Sequence, residues 1–148
     1  MSFCQNWFAT TFRKIAIGIQ SVPEFLPIAL ANFDAKKIAR RLKESNIEAA
    51  MFQADDVYGN AYYDTKVGHK HSKMKGDMLR EFIEAVHSED IKAVVYHSIG
   101  FNNHAATANP DWILKNVEGK PIPIAPNAPW LPWLCIKSPY KDEVFMPM

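Results

Sequence analysis

At 148 residues the chain has the length of a single domain, 1–148, long enough to bury a substantial core. Apolar residues make up 48% and charged residues 22%, as in an ordinary globular protein. Lys plus Arg number 17 against 16 for Asp plus Glu, a balance that points to neither nucleic acid nor an anionic membrane as partner.

The opening "MSFCQNWFATTFRK" has no continuous apolar stretch, and its positive charges follow the apolar residues. It makes a poor signal peptide, so residues 1–12 read as an N-terminal extension and the expected location is cytoplasmic. No run is long enough to span a bilayer. Cys4 and Cys135 could pair, though two buried thiols in a reducing compartment is the simpler reading.

"RKIAIGI" (13–19) lacks strict alternation and suits a strand buried on both faces. Asp34 then caps a helix, with Phe33 and Ile38 placed as a hydrophobic staple. Ala35, Ile38, Ala39 and Leu42 share one face, and the basic run around them is its solvated side. "IEAAMFQA" (47–54) is the second strand. A second amphipathic helix, capped by Asp77, carries Leu79, Phe82, Ile83 and Val86 on one stripe. "IKAVVYH" (91–97) is the third strand. "VEGKP" (117–121) reads as a tight turn, and the proline-rich "GKPIPIAPNAPWLPW" (119–133) as a long ordered loop. "SPYKDEVF" starts a helix with Ser138 as N-cap and Pro139 at N1. This β-α-β-α-β order predicts right-handed crossovers and a parallel sheet.

In such sheets ligands bind beyond the C-terminal ends of the strands. The loop after the second strand, "ADDVYGNAYYDTKVGHKH", runs about twenty residues, several times the usual connection. The segment after the third strand, "HSIGFNNHAATANPDW", is also long and polar. Together they offer aromatic faces for a pyranose (Tyr58, Tyr62, Tyr63, Trp112) and polar groups for its hydroxyls (Asp55, Asp56, Asn60, His69, His71, His97, Asn102, His104). The bland alternative is that tyrosines and histidines cap the rim and bond to one another. Asp55 and Asp56 could be a carboxylate pair, but neighbours at a strand end point in opposite directions, so at most one faces a site. Hydroxyl binding or loop bracing fits them better. Gly59 is expected to let the backbone turn tightly beside a ligand. His69-x-His71 lacks a third ligand at a recognisable spacing, so no metal site is assigned. His87 reads as a favourable cation at a helix end. "GIQS" after the first strand is no phosphate loop, and no cofactor is expected.

"FDAKKIARRLKESNIEAAMFQADDVYGNAYYDTKVGHKH", "DMLREFIEAVHSEDIKAVVYHSIGFNNHAATANPDW" and "WLCIKSPYKDEVF" resemble the N-terminal part of TIM-barrel glycoside hydrolases that are distant relatives of the alpha-L-fucosidases. The resemblance covers roughly residues 13–145. Its most specific pieces are "GNAYYDTKVG", the "YHS" end of the third strand and "NPDW". It implies an α/β fold, a partial (β/α)8 barrel of three to four βα units with parallel strands, and a carbohydrate ligand. It also implies sugar-subsite roles for Asp55, Asp56, Tyr58, Tyr62, Tyr63, Tyr96 and His97. Two departures stand out. Val57 and Tyr58 occupy places where the relatives tend to carry a His pair, and Ala16, Gly18 and Gln20 replace polar residues of the first strand, implying an altered first subsite. A closed barrel takes about 200 residues or more, and the resemblance puts the catalytic nucleophile and acid beyond residue 148. The expectation is therefore the front part of a glycosidase, inactive alone and prone to self-association through unclosed barrel edges. A non-catalytic sugar-binding half-barrel or pseudoenzyme, and a small doubly wound domain for another ligand, are the competing readings.

Overall fold

A computed structural model describes residues 6–19, 30–128 and 130–148, so the expectations for Cys4 and Gln20 fall outside the described residues. A one-turn helix, α1 (Trp7–Thr10), precedes strand β1 (Lys14–Ile17). Helix α2 (Ala35–Glu44) leads into β2 (Ala49–Gln53), and helix α3 (Met78–Ser88) into β5 (Lys92–Tyr96). Two short strands, β3 (Asn60–Ala61) and β4 (His69–Lys70), lie inside the loop between β2 and α3. Helix α4 (Asn103–Ala108) follows β5.

The main sheet has the order β1-β2-β5 and is parallel throughout. Central β2 pairs Ala49 with Lys14 on one side and Lys92 on the other, and it carries this register to Phe52↔Ile17 and Gln53↔Tyr96. Parallel strands joined through a helix require this crossover. Both expected N-caps form: Asp34 Oδ1 accepts from Lys37 N at 2.9 Å and Asp77 Oδ1 from Arg80 N at 2.9 Å. Each satisfies a backbone donor that the first helical turn leaves unpaired.

The helices pack on one face of the sheet, and the core forms between the layers. Ala35, Ala39 and Leu42 of α2 and Met78, Phe82, Ala85 and Val86 of α3 close over Ala50 and Phe52. Phe52 stacks on Phe82 at 4.7 Å between ring centroids, and Phe33 meets it edge-on at 5.9 Å. Lys36, Lys37, Arg40, Arg41 and Lys43 are all exposed. Leu79 and Ile83 are only half-buried, so the buried stripe of α3 is centred on Met78, Phe82, Ala85 and Val86.

Three sequence expectations fail. β1 is not buried on both faces; among the described residues it pairs with β2 alone, and Lys14, Ile15 and Ala16 are exposed. Of the described strands only β2 is paired on both sides, and its residues are buried apart from half-buried Met51. β5, the clearest strand in sequence, likewise leaves Val95 and Tyr96 largely exposed at its free edge. The last helix is a single π-helical turn, Lys141–Phe145, preceded by Tyr140. Ser138 does not cap it: its hydroxyl donates backward to Cys135 O at 2.6 Å. The turn at "VEGKP" does form, with Gly119 at φ +77 and a bridge between Lys115 and Pro121.

Truncating Phe82 removes the ring that joins α3 to the central strand. Phe82→Ala should cost about 3 to 5 kcal/mol in urea unfolding, against about 1 kcal/mol for the cap substitution Asp77→Ala. Equal losses would mean that the Phe52–Phe82 stack is not the centre of the core.

Candidate functional site

The chain leaves β2 and β5 side by side, because Ala54 N donates to Tyr96 O at 2.8 Å one residue beyond the paired register. Asp55 then turns toward the end of β5. Its Oδ1 accepts from Ser98 N at 2.8 Å and lies 3.1 Å from His97 Nδ1, off line for a hydrogen bond. Asp55 is fully buried, its Oδ2 has no hydrogen-bond partner among the described residues, and the same holds for both ring nitrogens of His97. Phe145 lies flat on the His97 ring, 4.8 Å between centroids and 13° between planes.

Asp56 turns the other way, as alternation at a strand end requires. Its Oδ1 accepts from Tyr58 N and Asn60 N, and its Oδ2 from Asn60 Nδ2 and the Tyr62 hydroxyl, each at 3.0 Å. Four donors on a buried carboxylate offset its lost hydration and fix the loop. Asn60 passes the network on, since its Oδ1 accepts from His104 Nε2 at 2.9 Å. The His104 ring in turn packs against that of His69 at 3.9 Å.

The expected site residues thus divide by position. Asp55, His97 and Tyr96 gather at the ends of β2 and β5. Asp56, Tyr62 and His71 brace the loop from beneath: all three are buried, and Tyr62 stacks on His71 at 5.7 Å. Tyr62 therefore offers no face for stacking, contrary to the sequence expectation, because its hydroxyl is drawn inward to Asp56. Tyr63 is half-buried, and its hydroxyl donates to Met148 O at 3.0 Å. Burial pushes its phenol above the ordinary value, and the charge of Asp55 adds to the shift. Trp112 belongs to a second apolar cluster, with Ala105, Ala106, Leu134 and Tyr140. Asn102 caps α4 by accepting from Ala105 N at 2.9 Å.

Gly59 also corrects an expectation. It has φ +89, as a tight turn demands, but a Cβ there would overlap the Asn102 side chain. The small residue makes room for Asn102, where the loops after β2 and β5 meet.

Three residues escaped the sequence reading. Trp130, 51% exposed, stacks on half-buried Tyr58 at 5.4 Å and 15°, forming an aromatic pair at the rim. Phe145 covers His97. Tyr140 is buried, and that burial pushes its phenol up to about 12, with the Asn102 side chain partly opposing the shift and the Asp55 charge adding to it. The tryptophans of "APWLPW" were the one available signal. A cavity of about 570 Å³ runs between α2 and α3 past Ala39, Arg40, Glu81 and Ala85, and no residue from the strand ends lines it. Among the described residues no group of three or more His, Cys, Asp or Glu could hold a metal ion, and no helix is long and apolar enough to cross a membrane.

A parallel sheet under a helical layer, with polar loops gathered at the strand C-terminal ends, is the construction of the (β/α)8-barrel enzymes. The chain belongs to the family described as Hypothetical glycosyl hydrolase 6, which matches residues 34–148. Its fold resembles that of alpha-L-fucosidase isoenzyme 2 from Paenibacillus thiaminolyticus, with a TM-score of 0.82 at 22% identity over 93% of this chain and 21% of that one. Alpha-L-fucosidase AlfC from Lactobacillus casei, in complex with its alpha-L-fucose product, aligns with a TM-score of 0.55 at 19% identity, covering 66% of this chain and 41% of that one. An alpha-amylase from Lactobacillus plantarum gives 0.55 at 10% identity over 85% and 32%. The chain therefore spans about a fifth of the length of the first of these and under half of the others. No curated protein sequence matches it. The fold is α/β, three βα units of the TIM-barrel kind with an open parallel sheet.

Two outcomes follow from the site's packing. Gly59→Ala should destabilise the protein by more than about 1 kcal/mol, from the left-handed backbone and from overlap with Asn102. Combining it with Asn102→Ala should cost less than the two singles together; strict additivity in urea unfolding would refute the contact. The second outcome concerns alkaline pH. Tyr140 titrates near 10 when unfolded and near 12 when folded. The unfolded chain thus gives up its proton first. This contribution to stability is complete below pH 10 and is lost as pH rises toward 12. Tyr140→Phe should lose less stability than the unmutated protein between pH 9 and 11.5, and identical losses would rule the phenol out as the cause.

Proposed function

We propose that the domain, residues 1–148, binds carbohydrate at the C-terminal ends of β2 and β5, as the sugar-recognition part of a glycosidase. The observation that carries this reading is Asp55: a buried carboxylate with one oxygen fixed by Ser98 N, His97 close beside it, and the other oxygen without a partner among the described residues. A carboxylate acceptor beside an imidazole suits a sugar hydroxyl. In this reading Tyr96, at the same strand end, borders the site, and the stacked Tyr58 and Trp130 supply an apolar face at its rim. Asp56, Tyr62, His71 and Asn102 hold the loops in shape, while Tyr63, His69 and Trp112 flank the site. Membership of a glycosyl hydrolase family supports carbohydrate as the ligand, and the names of the similar structures make L-fucose the first sugar to try.

Hydrolysis needs two carboxyl groups flanking the bond, either about 5 to 5.5 Å apart or far enough apart to admit a water. Asp56 is consumed by its four donors and faces away from Asp55, so the pair cannot flank a glycosidic bond. The reading therefore assigns binding to these residues and hydrolysis to carboxylates outside them.

The test has two parts. The 148-residue protein, assayed with aryl glycosides of common sugars, should give no turnover. Titration with L-fucose, D-galactose, D-glucose and D-xylose, followed by NMR, should show binding of at least one. Asp55→Asn, which keeps an acceptor for Ser98 N and replaces the free oxygen, should weaken that binding about tenfold. Turnover abolished by Asp55→Asn or Asp56→Asn would overturn the division of labour. Unchanged affinity in Asp55→Asn would remove Asp55 from the site.

A further inference from the structure

The buried side-chain polar atoms without a hydrogen-bond partner among the described residues are Asp55 Oδ2, His97 Nδ1 and Nε2, and the Tyr140 hydroxyl. They are not scattered. Asp55 Oδ1 is 3.1 Å from His97 Nδ1, the His97 ring is covered by Phe145, and Tyr140 stands at the start of the turn that ends in Phe145. The charge of Asp55 is felt at the Tyr140 phenol. Tyr140 is 1% exposed and Asp55 0%. Buried groups of this kind are normally satisfied, and unsatisfied ones collected in one place mark a site that trades stability for a ligand.

We propose that Tyr140 is a ligand-binding residue of the strand-end site, donating its hydroxyl proton to a sugar hydroxyl oxygen while that sugar hydroxyl donates to Asp55 Oδ2. This rests on the carbohydrate reading above and deepens it. The donor and acceptor set selects the ligand. Asp55 only accepts, and it repels an anion. Tyr140, kept neutral by burial, donates, and an ammonium group has no lone pair to receive that proton. A neutral alcohol does both at once. Access comes through the turn Lys141–Phe145, whose π-helical bonding is a form often found at functional sites. When Phe145 moves off His97, the imidazole face and its unpartnered Nε2 open to the same ligand.

Tyr140→Phe tests this, because it keeps the ring packed among Ala105, Ala106 and Leu134 and removes only the hydroxyl. The hydroxyl has the Asn102 side chain near it but no hydrogen bond of full geometry to lose, so the free protein should melt at the same temperature as the unmutated one or higher. Affinity for whichever of L-fucose, D-galactose, D-glucose or D-xylose binds the unmutated protein should fall about tenfold. A purely structural role would lower melting temperature and affinity together. A lower melting temperature would therefore overturn the proposal, showing that the hydroxyl is held within the protein or by a buried water. Unchanged affinity in Tyr140→Phe, with Asp55→Asn still weakened, would overturn the role of Tyr140 and leave the carbohydrate reading standing. Failure of all four sugars to bind the unmutated protein would overturn that reading, and this proposal with it.

Discussion

Two adjacent carboxylates are buried at the end of the central strand, and the surrounding loops are shaped by the need to accommodate them. A buried charge is tolerated only with donors around it. Asp56 draws two backbone amides, an asparagine and a tyrosine to itself, which folds residues 56–62 back under the strand end. Asp55 reaches across to the neighbouring strand and holds the chain where it leaves β5. The first carboxylate organises one loop internally, and the second ties that loop to the next. From there the order spreads outward: Asn60 to His104, His104 to His69, and Gly59 against Asn102.

The difference between the two acids is one of supply. Asp56 receives as many donors as its oxygens can use, whereas Asp55 receives one good hydrogen bond. A carboxylate with all its acceptor capacity filled is a structural element. One with an oxygen to spare is available for chemistry or recognition. Identical side chains one residue apart thus differ in how fully they are satisfied, decided by which donors the fold brings near.

Local features were legible in the sequence, and those that depend on distant neighbours were not. The caps Asp34 and Asp77 depend on residues within a turn and appear as read; the apolar face of α2 is nearly so, with Ile38 half-buried, and that of α3 is turned from Leu79 and Ile83 toward Met78 and Ala85. The divergence of Asp55 and Asp56 follows from strand alternation. Exposure of β1 depends on what lies beside it, and its composition carries no record of that. Tyr62 reads as a platform and is a brace, because only the fold reveals that Asp56 lies within reach of its hydroxyl. Phe145 reaches His97 and Trp130 reaches Tyr58 through the long segment after β5, whose path no periodicity describes. Their chemistry was visible and their destination was not.

The parallel pairing of β2 has a consequence for how the chain folds. Its contacts to β1 and β5 join positions far apart in sequence: Glu48 meets Arg13 across 35 residues, and Asp55 meets Ser98 across 43. Neither can form before a helix-sized loop has closed, and the entropy of closure precedes the stabilisation it permits. α2 and α3 can form turns early, each with its own cap, but neither can bury its apolar face until β2 is in place between the outer strands. Pairing of the strand that leads into the two acids therefore waits on closure of both loops, and the strand ends come together only once those pairings are made.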